Sequence, residues 1–255
     1  MKQDDLLNRI SNEYRSILNY NLVGIYVHGS IAFGCFNWAK SDIDFIVVVK
    51  NLASLEQKKR LLDVLLELDS QAPPKGFEMS VVLEKYCANF IYPTPYELHF
   101  GSYIIPEFLE NPLKVCETET ELDEDLAAHF TVIKKVGFVL YGAPINNVFG
   151  DIPEAYYLDS IIKDVATAKE EIINRPVYTV LNLCRVYAFV KEKIVISKKQ
   201  GGEWGLKNLN KKYRDFIVAI LNNYSENEEL NIKESEALDF AEYALDLIFK
   251  EFKEL

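Results

Sequence analysis

Two short runs in this sequence place residues suited to phosphate chemistry at a telling spacing. Gly29-Ser30 follows the β-rich run Leu22 to Val27, and Asp42-Ile43-Asp44 opens the apolar run Phe45 to Val49. Alternate residues of a strand point to one face, so Asp42 and Asp44 project together, a few ångströms apart. Phe77-Glu78-Met79-Ser80-Val81-Val82-Leu83 alternates as a further strand and puts Glu78 on the face of Ser80 and Val82. If the two strands are neighbours in register, Glu78 joins the aspartates. Three crowded carboxylates repel one another unless a cation sits among them. A pair of Mg²⁺ ions roughly 4 Å apart, bridged to nucleotide phosphates, resolves that repulsion. Gly29 lets backbone approach a phosphate, and Ser30 can donate N–H and hydroxyl to it. Taken singly, Asp-x-Asp also reads as a solvated strand edge and Gly-Ser as an ordinary turn. The order of the whole set is what makes it specific.

The elements that must carry these residues follow from periodicity. Leu6, Leu7, Ile10, Tyr14, Ile17 and Leu18 mark a first amphipathic helix, and Leu55 to Leu68 a second, closed by Pro73-Pro74-Lys75-Gly76. Strands and helices therefore alternate over the first hundred residues, as in an α/β unit. Beyond them, Leu122 to Val139, Ala155 to Ile173, Val177 to Lys191, Leu209 to Tyr224 and Glu234 to Phe252 read as helices with few strand signals between. Gly142-Ala143-Pro144 and Gly150-Asp151-Ile152-Pro153 are the break points. The expected division is a mixed α/β domain over residues 1–150 and an all-α helical bundle over 151–255.

Composition narrows the partners. Twenty-eight Lys and Arg against 39 Asp and Glu give a net charge of −11. An acidic chain is poorly suited to gripping nucleic acid through its phosphates, whereas it suits a cationic ligand. Cys35, Cys87, Cys116 and Cys184 form no C-x-x-C pair, so reduced thiols are expected rather than a disulfide framework or zinc site. The acidic start and the lack of a long apolar run give the expectation of a cytoplasmic protein with no membrane partner.

The run Val27-His28-Gly29-Ser30 followed by Ser41-Asp42-Ile43-Asp44 resembles the signature of polymerase-β-like nucleotidyltransferases. Further on come Phe77-Glu78-Met79-Ser80-Val81-Val82, Glu97-Leu98-His99-Phe100-Gly101-Ser102-Tyr103 and Leu181-Asn182-Leu183-Cys184-Arg185. Ser197-Lys198-Lys199-Gln200-Gly201-Gly202-Glu203-Trp204 and Tyr224 complete the series. Over nearly the whole chain, this series is similar to the aminoglycoside adenylyltransferases that modify streptomycin and spectinomycin. The resemblance implies an α/β nucleotidyltransferase domain, a mixed sheet with flanking helices, followed by a helical bundle. It implies Mg²⁺-dependent transfer of AMP from ATP to a hydroxyl of a cationic aminoglycoside or aminocyclitol antibiotic, conferring resistance; a monomer is expected. Asp42 and Asp44 match its magnesium ligands, and Glu78 its catalytic base, which also touches metal and acceptor. Gly29, Ser30, Arg185, Lys198 and Tyr224 match its nucleotide contacts, with Lys198 on the ATP phosphates. Tyr103 takes the place of an acceptor-stacking tryptophan.

Departures from the pattern leave alternatives for the acceptor. The family's acidic Asp-Glu-Arg-Asn segment is replaced by Ile173-Asn174-Arg175-Pro176-Val177-Tyr178, which lacks a carboxylate used on the cationic drug. A different small-molecule or protein hydroxyl is one alternative, and a catalytically silent nucleotide-binding protein the other. His28 stands where an aromatic residue is usual and reads as a packing residue. His99 and His129 are isolated in sequence and lack metal-ligand spacing. A Gly-Gly turn is read at Gly201-Gly202, following Lys198, and the acidic stretch from Glu117 through Glu119 to Asp125 reads as a solvated helix start.

Overall fold

The computed structural model describes residues 2–117, 120–226 and 228–253, so Glu119 of the acidic stretch lies outside the described residues. It divides into two compact units, Met1–Tyr156 and Tyr157–Leu255.

The first unit is built on a five-stranded mixed sheet. Its strands are β1 (Leu22–Val27), β2 (Ile43–Val49), β3 (Phe77–Leu83), β5 (Leu98–Phe100) and β7 (Phe138–Gly142), in the spatial order β5-β3-β2-β1-β7. The remaining two, β4 (Thr94–Tyr96) and β6 (Glu121–Asp123), pair with each other as a short antiparallel ribbon. Every residue of β1 and β2 is buried. Their near-continuous apolar runs suit central strands covered on both faces. β2 and β3 run parallel, and helix α3 (Leu55–Asp69) supplies the crossover that parallel neighbours require.

Alternation sorts the strands' side chains onto two cores. Helix α1 (Lys2–Leu18) and α3 bury Leu7, Ile10, Tyr14, Leu61, Leu62 and Leu65 with Phe45, Val47, Phe77 and Met79. The Tyr14 hydroxyl donates to the Leu61 carbonyl at 3.0 Å, tying α1 to α3. A capping box starts α3: Gln57 N–H donates to Ser54 Oγ at 3.2 Å, and Ser54 N–H to Gln57 Oε1 at 3.0 Å. On the opposite face Tyr26, Ile46, Val48 and Val82 pack with Leu126, Phe130 and Ile133 of the helix Leu126–Val136. That second face is also the one that carries Asp44 and Glu78.

One expected helix, Leu122 to Val139, is three elements. Glu121–Asp123 is the ribbon strand β6, the helix occupies Leu126–Val136, and Phe138–Gly142 is the edge strand β7 beside β1. Gly137 ends the helix with its N–H on the Ile133 carbonyl at 2.9 Å. The Phe-Val-Leu-Tyr run after it then takes the extended form its residue types favour. Ala155 to Ile173 is likewise interrupted, into Glu154–Lys163 and Ala168–Glu171.

The second unit is helical among the described residues. Its central helix, Pro176–Glu192, starts with proline at its first position and is buried from Thr179 to Leu183 without interruption. A helix apolar over most of its circumference must be enclosed by others. It packs with Lys198–Asn208, Arg214–Glu226 and Glu234–Phe252. Lys198–Asn208 replaces the Gly-Gly turn read in the sequence. A Cβ on Gly201 would lie 2.7 Å from the Arg185 backbone nitrogen, and one on Gly202 would lie 2.5 Å from Leu181 Cδ2. These helical positions are glycine because the neighbouring helix leaves no room for a side chain. No helix among the described residues is long and apolar enough to cross a membrane.

Candidate active site

Parallel pairing of β2 with β3 sets Asp44 directly opposite Glu78. Their side chains therefore leave the sheet on the same face as neighbours. Asp42 lies just before β2, and ligand oxygens of Asp42, Asp44 and Glu78 all fall within 4.8 Å of one another. Asp44 is 7 % exposed, while Asp42 and Glu78 are half-buried. Like charges this close repel one another, and so compact an acidic group calls for a cation among them. A hard divalent cation with oxygen ligands relieves the repulsion, and this donor set fits one.

The loop after β1 closes against the trio. The His28 N–H donates to the Asp44 carbonyl at 3.1 Å. Gly29 then turns into the left-handed region, with φ +58°, and a Cβ there would stand 1.7 Å from Asp44 Oδ2. Glycine is needed on both counts, conformation and close approach. Ser30 follows in the single-turn helix α2 (Gly29–Ala32), and its hydroxyl is buried with no hydrogen-bond partner among the described residues. A buried hydroxyl left unmatched costs free energy, which a bound ligand would recover.

Three histidines surround the carboxylates, and sequence spacing located only His28 there. His28 and His129 face each other with ring centroids 4.7 Å apart. His129 Nε2 lies 3.7 Å from Glu78 Oε1, while its Nδ1 is buried without a hydrogen-bond partner among the described residues. His28 is held well below the usual imidazole range by burial, with His129 adding to the effect, so it stays neutral. His99 pairs in register with Ser80, and its Nδ1 is 2.9 Å from the Ser80 hydroxyl. Burial lowers its pKa while Glu78 and Asp123 oppose the shift. The signal missed for His129 was the Leu126, Ala127, Phe130, Ile133 stripe, which packs that helix over the Asp44 face and brings the histidine with it.

Tyr103 is 74 % exposed and its ring stacks near that of His99, with centroids 6.0 Å apart. Partial desolvation and the nearby Glu78 raise its pKa. It thus presents an aromatic face within electrostatic reach of the trio, suited to a cationic or sugar-like ring.

The remaining sequence-selected residues lie in the second unit. Arg185 Nη2 donates to Asp164 Oδ2 at 3.4 Å and to the amide oxygen of Asn182. Lys198 opens its helix one residue after the Ser197 cap, and its ammonium sits 4.4 Å from the centre of the Tyr178 ring. Tyr224 is buried on the Arg214–Glu226 helix. Within the first unit, then, Gly29, Ser30, Asp42, Asp44 and Glu78 come together. Within the second, Arg185 and Lys198 are linked through Tyr178 and Asp164.

Residues 147–246 match the family of the aminoglycoside adenylyltransferase C-terminal domain. Among solved structures, the chain is similar to the spectinomycin adenyltransferase AAD(9) from Enterococcus faecialis, crystallised with ATP and spectinomycin. The TM-score is 0.82 at 18 % identity, covering 96 % of this chain and 99 % of that one. No curated protein matches the chain. The fold expected from the sequence, a mixed-sheet α/β domain followed by helices, is borne out.

Proposed function

We infer that this chain, whose residues 147–246 match the aminoglycoside adenylyltransferase C-terminal domain, is a nucleotidyltransferase that moves AMP from ATP to a hydroxyl of a spectinomycin-type aminocyclitol and so confers resistance to it. The observation that carries the reading is the Asp42, Asp44 and Glu78 trio, its oxygens within 4.8 Å, sealed on one side by Gly29.

The chain's own groups divide the work. Asp42 and Asp44, with Glu78, would hold Mg²⁺, which when bound supplies positive charge to the triphosphate. The Gly29-Ser30 turn offers backbone N–H and the unpartnered Ser30 hydroxyl to phosphate oxygens. Glu78 accepts the proton of the acceptor hydroxyl as its oxygen forms a bond to the α-phosphorus. The bond from that phosphorus to the bridging oxygen breaks, and pyrophosphate carries the electron pair away. Arg185 and Lys198 neutralise phosphate charge that builds up as the bond breaks, and Tyr224 supports the nucleotide. Tyr103, exposed beside Glu78 in electrostatic reach, stacks on the acceptor ring.

The experiment is transfer of label from α-labelled ATP to spectinomycin in the presence of Mg²⁺, with streptomycin alongside. Labelled spectinomycin and pyrophosphate are expected. Asp44→Asn and Glu78→Gln are expected to lose the transfer. Full turnover by both variants overturns the assigned roles, and no transfer by the wild type overturns the reaction.

A further inference from the structure

We propose that Asp164 is a positioning residue for the nucleotide contacts of the second unit, acting through Arg185 and Tyr178. The inference rests on the reading above, in which Arg185 and Lys198 meet the phosphates.

Tyr178, Asn182 and Arg185 are spaced four and then three residues apart on the Pro176–Glu192 helix, so they share one face. On a helix otherwise buried among apolar neighbours they form a polar stripe. All three donate to one carboxylate from a separate segment. The Tyr178 hydroxyl reaches Asp164 Oδ1 at 2.9 Å, and Asn182 Nδ2 reaches Oδ2 at 2.7 Å. Arg185 Nη2 reaches the same Oδ2 at 3.4 Å. The Tyr178 ring in turn carries two cations, the Arg175 guanidinium at 4.3 Å and the Lys198 ammonium at 4.4 Å. Both proposed phosphate contacts therefore trace back to Asp164, one by direct ion pairing and one through the tyrosine ring.

Of the three cations gathered at Tyr178 and Asp164, Arg175 also pairs with Glu171 at 3.5 Å, whereas Arg185 pairs with Asp164. Arg185 also keeps a donor in reserve, since its Nε is buried without a hydrogen-bond partner among the described residues. Arginine and lysine lose much rotamer freedom on being fixed. The charge-assisted contact to Asp164, with the bond to the Asn182 amide oxygen, holds the guanidinium in one orientation before any ligand arrives. A ligand that meets preset donors avoids that ordering cost.

The sign of the effect separates this role from a simple charge effect. If Asp164 acted on a phosphate only through its negative charge, its removal would tighten ATP binding. If it positions the donors, removal weakens it. The test is calorimetric binding of ATP with Mg²⁺ to wild type, Asp164→Asn, Asp164→Glu and Tyr178→Phe, together with KM for each substrate. We expect Asp164→Asn to weaken ATP binding about tenfold and Tyr178→Phe about twofold to threefold, the losses of a charged and of a shared contact. KM for ATP should rise in parallel, KM for the acceptor should stay put, and Asp164→Glu should recover part of the loss. Should Asp164→Asn fail to fold, Tyr178→Phe and Asp164→Glu carry the test. Unchanged or tighter ATP binding in the variants overturns the inference alone. Absence of ATP binding by the wild type overturns the nucleotide reading and this inference with it.

Discussion

Gly29 is the residue on which the carboxylate trio depends. With φ +58° and Asp44 Oδ2 at 1.7 Å from where a Cβ would be, Gly29→Ala is strained and also displaces Asp44. The backbone strain alone is worth roughly 1–2 kcal/mol, so a melting temperature at least a few degrees lower is expected, with loss of the thermal shift that Mg²⁺ and ATP produce. A variant that melts and shifts like wild type would show that the loop has more room than the structure gives it. Glu78→Gln keeps shape and removes the proposed base, and kcat for AMP transfer is expected to fall about 10²–10⁴-fold. His28 gives a prediction about acid. Burial keeps it neutral in the fold, whereas in the unfolded chain it takes up a proton below about pH 6.5. The unfolded state then binds more protons, so stability is complete above that pH and drains away as pH falls below it. Melting curves from pH 8 to pH 5 should show the decline, and His28→Phe should flatten it. Asp42, Asp44 and Glu78 were legible in the sequence because strand alternation and apolar runs fix their faces. His129 was not, since it reaches Glu78 only through the packing of a helix distant in sequence.

At the scale of elements, the contact between Pro176–Glu192 and Lys198–Asn208 sets the second unit's geometry. Gly201 and Gly202 admit no side chain, and a Cβ on Gly205 would lie 2.9 Å from Cys184 Sγ. Gly201→Val is expected to push the helices apart and cost about 1–3 kcal/mol, the usual range for overpacking, visible as a lower melting temperature. Burial also pushes the Cys184 thiol up to about 12. Cys87 and Cys116 are buried as well, and Cys35 is the partly exposed member of the four. Alkylation at pH 8 in native buffer should therefore label Cys35 and spare the others, as mass spectrometry of digests would show; rapid labelling of Cys184 would mean that the glycine-lined contact opens. Helices whose apolar stripe starts and stops with clear signals, such as Glu234–Phe252, were legible with their ends. The segment 122–139 was not, because β6 and β7 are short or edge strands that owe their form to a partner strand. Gly201-Gly202 was misread as a turn because the reason for glycine there, the close approach of another helix, is not visible in the local sequence.

At the scale of the molecule, the net charge of −11 bears on the acceptor rather than the fold. A polycationic antibiotic is attracted over distances comparable to the Debye length, about 8 Å at physiological salt. KM for spectinomycin is therefore expected to rise with ionic strength between low and high salt, more than kcat changes. A KM that ignores salt would locate recognition in short-range contacts alone. The two-part plan of an α/β unit followed by helices was legible as a change in periodicity. The spatial order of the strands was not, because it depends on pairings that no local pattern encodes.

The parallel register of β2 and β3 has a kinetic consequence. Asp44 and Glu78 meet only when two strands separated by a whole helix zip together. Their mutual repulsion therefore acts on the pairing itself, as a wedge at the start of the zipper. A divalent ion that removes the wedge strengthens the hydrogen bonds behind it, and the effect travels along the strands rather than staying at the side chains. Backbone amides of Phe45 and Met79 would then exchange with deuterium more slowly once Mg²⁺ is added, making the sheet's own breathing a gauge of whether the site is filled.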